Sequence, residues 1–162
     1  MGQAPRITSG VKAIKIIADV TDENAVKEIP AEMVAEPMKA ATEFAGGTGT
    51  EEDPYLISDA AQLVLMAETI KEKNGEKLYF KLTNDIVFND TTDFANWEKD
   101  APQYLWTPID NFYCGGLDGD GYTISGLNNE FISYANKDSQ IMELNIESEI
   151  ATTGNIGGIV SV

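Results

Sequence analysis

Gly115-Gly116-Leu117-Asp118-Gly119-Asp120-Gly121-Tyr122-Thr123-Ile124-Ser125-Gly126-Leu127 is the stretch on which the reading of this chain turns. Two short apolar pieces flank a corner built from aspartate and glycine. Glycine tolerates positive φ, and an aspartate side chain bonds backbone two residues further on, so Asp118 to Gly121 reads as a turn. The same grammar continues upstream in Leu78-Tyr79-Phe80-Lys81-Leu82-Thr83-Asn84-Asp85-Ile86-Val87-Phe88, a strand with partial alternation. Downstream come Phe131-Ile132-Ser133-Tyr134 and then Gln140 to Ile150. In the latter Ile141, Met142, Leu144, Ile146 and Ile150 alternate with Glu143, Asn145, Glu147 and Glu149. Strands this short, turned this often, suit a sheet that coils on itself, each rung burying its inward residues against the rungs above and below.

Working outward, the clearest helix precedes this region. Leu63, Met66, Ala67 and Ile70 share one helical face, and Asp59 at the N-cap puts Gln62 at the N3 position of a capping box. Lys71 and Lys73 suit the negative end of the dipole, and Asn74-Gly75 stops the helix. The spacing predicts a helix over about 59–73 that lies over the first rung as a cap, its Met and Leu stripe belonging to the core. Before it, Phe44 to Asp53 is a glycine-threonine-acid linker in which no Lys-Ser or Lys-Thr pair follows the glycines, so a phosphate loop is excluded. Val11 to Val20 is rich in β-branched residues and reads as a strand, while Pro30 and Pro37 break the segment between. Residues 1–43 are thus expected to form an extended N-terminal arm with one strand, and residues 44–162 the coiled domain, expected to be incomplete at its C-terminal end.

Composition narrows the chemistry. The chain of 162 residues carries 27 acidic against 11 basic residues, a formal net charge of −16. Such a surface repels nucleic acid and anionic lipid, because phosphate binding needs cations to displace counterions. Histidine is absent, which removes the usual general base, the commonest metal ligand and the Ser-His and Cys-His pairs. Arg6 is the single arginine, so the body of the domain has no guanidinium clamp. Cys114 stands alone, which excludes an intramolecular disulfide and reads as a small buried hydrophobe. No apolar run approaches the ~20 residues of a membrane span, and no basic-then-apolar leader is legible at the N-terminus.

Several segments resemble the N-terminal lead into the repeats of GLUG-type bacterial surface proteins. They are Asp53-Pro54-Tyr55-Leu56-Ile57-Ser58, Ala61-Gln62-Leu63, Tyr79-Phe80-Lys81-Leu82-Thr83-Asn84-Asp85-Ile86, Trp106-Thr107-Pro108-Ile109 and Leu117 to Leu127. Gly157-Gly158-Ile159-Val160 is similar to the Gly-Gly-Leu-Val-Gly repeat that names the family. The resemblance covers about residues 44–162 and departs at Tyr122, where the family often has His, and at Cys114-Gly115-Gly116. It implies a mostly β fold: a short right-handed parallel β-helix, pectate-lyase-like, with the 59–73 helix as its cap. Such repeats occur in adhesins, in large secreted proteins and beside secreted peptidases, so the resemblance implies a surface location.

Three chemistries are weighed on the residues themselves. Asp118 and Asp120 could begin a Ca²⁺ shell, since hard cations take clustered carboxylates. An EF-hand fails at Tyr122 and Thr123, a calcium-binding nonapeptide roll has no tandem copy, and the turn reading needs no ion. The acidic insertion at residues 89–105 carries Asp90, Asp93, Glu98 and Asp100. With Trp97, Tyr104 and Trp106 it could stack and hydrogen-bond a sugar, provided the tryptophans line an exposed groove; the plainer alternative is a loop pinned by its aromatics. Paired carboxylates among Asp110, Asp118 and Asp120 would be needed for hydrolysis, but no His, no Arg and few coils argue against an enzyme. The expected function is therefore a non-catalytic, surface-exposed adhesive or structural module. A protein partner, or a second copy, would engage its open C-terminal β-edge and N-terminal arm. The alternatives are a virion or particle decoration protein and a carbohydrate-binding domain.

Overall fold

A computed structural model of the chain describes residues 35–97 and 99–148. The expected strand at Val11–Val20, the Gly157–Val160 motif, residues 149 and 150 of the Gln140–Ile150 segment, and Glu98 of the insertion lie outside the described residues. Within them the chain runs β1 (Glu36–Pro37), β2 (Tyr55–Ile57), α1 (Ala60–Glu72), β3 (Tyr79–Leu82), β4 (Ile86–Val87), β5 (Tyr104–Leu105), β6 (Gly116–Asp118), β7 (Thr123–Leu127), β8 (Gln140–Met142) and β9 (Asn145–Ser148). Among the described residues the protein is mostly strand with one α-helix, and no described helix is long and apolar enough to cross a membrane.

Every pairing between these strands is parallel. The first ladder runs β2-β3-β6-β8 and stacks Tyr55, Phe80, Leu117 and Ile141 in one column. The second runs β4-β7-β9 and stacks Ile86, Ile124 and Ile146. A third row pairs β1 with β5, then Ile109 with Ile132 and Phe112 with Ala135. The chain visits the rows in one order, so each pass lays residues of like kind on those of the pass before. Gly116 pairs with Gln140, Ile109 with Ile132 and Thr123 with Asn145, a repeat of 22 to 24 positions. The preceding pass is longer, Tyr79 pairing with Gly116, because it contains the 89–105 insertion with its short 3-10 turn at Phe94–Asn96.

Sequence alternation becomes burial in the expected sense. Ile57, Phe80, Leu82, Ile86, Leu117, Ile124 and Leu127 point inward and form one core with Phe112, Phe131 and Ile132. The buried face of α1, Leu63, Met66 and Ile70, joins this core, as the spacing of the stripe predicted. Its N-cap is Asp59, whose Oδ1 accepts from the Gln62 N–H at 2.8 Å. Gln62 does not reach back to the cap N–H, as the capping-box reading expected. Its Oε1 accepts from the N–H and hydroxyl of Ser58 instead, at 2.8 and 3.0 Å, one residue further out. On the other side of β2, Phe44 stacks on Tyr55 with ring centroids 4.4 Å apart, and Gly46 makes an antiparallel bridge with Leu56. Residues of the expected arm are also tied in: Ala35 is buried, the Glu36 N–H donates to the Gln103 carbonyl and the Ala41 N–H to the Ala61 carbonyl.

The strand read over Leu78–Phe88 is divided into β3 and β4, which lie in different ladders. Further on, β6 begins only at Gly116, with Phe112 in the third row. Between them the chain changes row. Cys114 is held there by Ser139, whose hydroxyl accepts from the Cys114 N–H and donates to the Phe112 carbonyl, both at 3.0 Å. Side-chain bonding at that bend, not hydrophobicity, decides where pairing stops.

Candidate functional site

The corner between the first and second ladders brings acidic groups from two passes together. Gly119 makes this possible. Its N–H donates to the Met142 carbonyl at 2.8 Å, and a Cβ there would lie 2.5 Å from the Glu143 carbonyl oxygen and the Leu144 Cα. The two corners therefore pack backbone on backbone. Asp120 and Glu143 both adopt positive φ, 51° and 47°, which a non-glycine residue holds only where its surroundings enforce it. As a result Asp118, Asp120 and Glu143 present carboxylate oxygens within 4.8 Å of one another.

Lys81 sits on this cluster. Its Nζ lies 3.5 Å from Asp118 Oδ2 and 3.2 Å from Asp120 Oδ2. Hydrogen bonding to Asp120 and the negative field of both aspartates hold the ammonium above its usual range. The Asp118 side chain has a second task, its Oδ1 accepting from the Asp120 N–H at 2.9 Å to close the turn. These oxygens could contribute to a hard-cation shell, but a lysine already supplies them with positive charge. Of the three, Glu143 lines a shallow, open depression with Gly121, Ile141, Leu144 and Asn145, not an enclosed cage. The sequence located Asp118 and Asp120. It did not expose Glu143 or Lys81, which lie 23 and 39 positions from Asp120 and meet it only through the ladders.

The aromatic candidates are not brought to one surface. Trp106 is 3% exposed, stacked on Phe131 at 5.5 Å, edge-on to Phe88 at 5.3 Å, and its indole N–H donates to the Phe131 carbonyl. With both faces and its polar tip engaged, it has no face to offer a sugar. Tyr104 is half-buried against Phe88, and Trp97 half-buried against Phe94. Asp90 is used locally, accepting from the Thr92 N–H at 2.9 Å, and that bond holds its carboxyl below the usual range. Asp110 lies in the wall of a groove of about 690 Å³ between α1 and the Leu105–Asn111 segment, floored by Val64, Ala67, Ile70, Pro108 and Ile109. Burial pushes the Cys114 thiol up to about 12, which leaves no thiolate for nucleophilic chemistry at neutral pH.

The remaining feature is the edge beyond β8 and β9. Leu117, Ile124 and Leu127 are fully buried beneath this pass, whereas Ile141, Leu144 and Ile146 on it are half-buried and Met142 is exposed. Inward-facing residues thus lose cover one pass further along.

No family model matches the chain, and no solved structure does. Two curated proteins are similar to about half of it. One, from Evansella cellulosilytica, is named a Gly-rich membrane protein and is 38% identical over 87 residues, 52% of this chain. The other, halomucin from Haloquadratum walsbyi, is 34% identical over 84 residues, 50% of this chain. The matched portions span 9% and 1% of those two proteins.

Proposed function

We propose that this chain carries the first coils of a right-handed parallel β-helix, of the GLUG-type repeat kind, in a surface-exposed structural or adhesive protein. Its work is attachment or assembly rather than catalysis. The observation that carries this reading is the graded burial along the ladders: columns that are fully covered at β6 and β7 end half-covered at β8 and β9. Among the described residues no strand pairs beyond β8 and β9, and such a parallel edge is a template for another strand, supplied by a protein partner or a second copy. The names of the two similar proteins, one a Gly-rich membrane protein and the other halomucin, agree with a surface location. So does the net charge of −16, which favours solvation and disfavours nucleic acid.

In this reading Lys81, Asp118 and Asp120 form an ion-paired corner that holds two passes in register, and bound calcium there is not required. The test is solution size by light scattering across a salt series. Self-association that strengthens from ~0.15 M to ~1 M salt, as screening shortens from about 8 Å to about 3 Å, is the expected result. It should be abolished by Ile146→Lys on the last pass. A monomer throughout the series that also captures no sheet-edge peptide would overturn the assembly reading.

A further inference from the structure

We propose that Asn74-Gly75 is a site of spontaneous deamidation, and that Asn111, brought to it from the third row, supplies the hydrogen bond that promotes the reaction. The pair is the single Asn-Gly dipeptide in the chain. An asparagine amide is attacked by the backbone nitrogen of the following residue, and glycine, lacking a Cβ, obstructs that approach least. The local structure permits the attack. Lys73, the C-cap of α1, has left the helix with φ −99° and ψ 36°. The Glu76 N–H donates to the Lys73 carbonyl at 2.9 Å, which puts Asn74 and Gly75 at the two central positions of a tight turn. Gly75 holds φ at +99°, which suits glycine at the second of those positions. The turn closes through Glu76 and does not engage the Gly75 nitrogen. Both residues are exposed.

Asn111 is held by its neighbours. Ile109 and Phe112 on either side of it are buried and pair with Ile132 and Ala135. The Asn111 Nδ2 donates to Asn74 Oδ1 at 3.3 Å. Attack on Cγ of Asn74 moves negative charge onto that oxygen, and a donor already aimed at it lowers the barrier.

The reaction balances within the dipeptide and water. The Gly75 nitrogen gives its proton to water and forms a bond to Asn74 Cγ. The Cγ–Nδ2 bond breaks, and the amide nitrogen takes up a proton and leaves as ammonia. Water then opens the cyclic imide at either carbonyl, giving aspartate or β-linked isoaspartate. Asp118-Gly119 and Asp120-Gly121 could form the same imide by losing water, but the ladders oppose it. The Gly119 N–H is committed to the Met142 carbonyl at 2.8 Å and the Gly121 N–H to the Glu143 carbonyl at 2.9 Å. Both carboxylates are also paired with Lys81.

Conversion of Asn74 takes the formal net charge of −16 one unit lower. The new carboxylate stands at the C-terminal end of α1, where the helix dipole is already negative, and lines the same groove as Asp110. The change is one-way: it weakens the last turn of α1 and makes the groove more acidic as the folded chain ages. It is independent of the assembly reading.

Peptide mapping of the full chain, aged in mildly alkaline buffer with and without urea, is the test. In the folded chain isoaspartate should accumulate at Asn74, while the Asp118-Gly119 and Asp120-Gly121 peptides stay α-linked. Asn111→Ala should slow loss of the Asn74 amide about two- to five-fold in the folded chain, the worth of one ordinary hydrogen bond, and leave the rate in urea unchanged. Asn111→Asp, of the same shape but without the donor, should slow it at least as much, so a folding defect in one variant does not hide the result. An Asn74 amide that survives in the folded chain while the chain in urea loses it overturns the inference. So do Asn111 variants that deamidate in native buffer as fast as the native chain or faster.

Discussion

Gly126 lies directly over the backbone of Asn89: a Cβ at Gly126 would sit 2.0 Å from the Asn89 carbonyl oxygen, and Gly126 holds φ at +75°. The contact is sealed by the Asn89 side chain, whose Nδ2 donates to the Gly126 carbonyl at 3.0 Å and to the Tyr104 carbonyl at 2.9 Å. Its Oδ1 accepts from the Tyr104 N–H at 2.9 Å. One buried asparagine thus ties the second ladder, the third row and the start of the insertion together. Gly126→Ala meets both a forbidden contact and positive φ and should cost about 3 kcal/mol or more. Asn89→Ala removes the side-chain bonds to the Gly126 carbonyl and the Tyr104 N–H and one of the two to the Tyr104 carbonyl, which Asn128 also serves, and should cost ~2–5 kcal/mol. Urea denaturation of the two variants checks both figures.

The cap helix is expected to contribute through its buried face. Leu63→Ala and Ile70→Ala each remove a fully or almost fully buried side chain and should cost ~2–5 kcal/mol. Asp59→Ala removes the N-cap acceptor and should cost about 1 kcal/mol. An effect below about 1 kcal/mol at Leu63 and Ile70 alike, in chemical denaturation, would remove the helix from its role as a cover.

Lys81 should control how the acidic corner responds to cations. The exposed ion pairs themselves are worth under about 1 kcal/mol, so Lys81→Met should unfold at nearly the native temperature in dilute buffer. It leaves Asp118, Asp120 and Glu143 without their cation. Millimolar CaCl₂ should then raise the melting temperature of Lys81→Met more than that of the native chain. Equal shifts in the two would show that lysine and calcium do not compete for these oxygens.

Stability should fall on the alkaline side, and the sign follows from proton uptake. The Cys114 thiol is raised from its ordinary value of 9.0 to about 12 by burial, so between those values the unfolded chain loses a proton that the folded chain keeps. Lys81 and Tyr79 are also raised, Lys81 first by hydrogen bonding to Asp120 and Tyr79 first by desolvation, then by the nearby Glu51. Their contributions are complete below about pH 10 and are lost above it. Cys114 alone accounts for roughly 4 kcal/mol by pH 12, about 1.4 kcal/mol for each pH unit. Cys114→Ala should flatten the alkaline limb of the denaturation midpoint against pH between 9 and 12. The native thiol should also resist Ellman's reagent until the chain unfolds.

The residues by themselves determined the local pieces. Partial alternation marked strand over Leu78–Phe88, the apolar residues beside the aspartate-glycine corner marked Thr123–Leu127, the i, i+3, i+4, i+7 stripe marked α1, and Asp59 and Gly75 marked its ends, because these signals act within a few residues along the chain. Asp118 and Asp120 were legible as a corner for the same reason. Only the tertiary structure decided what met across passes. It brought Lys81 and Glu143 to that corner, because parallel pairing joins residues 21 to 38 positions apart and no local pattern encodes the partner. It took Trp106 out of any sugar-binding surface, because an indole in a short row packs on Phe88 and Phe131 before solvent can reach it. Burial and pairing are properties of the stacked whole, which is why the half-covered edge at Ile141 and Ile146, and not the acidic turn, came to carry the functional reading.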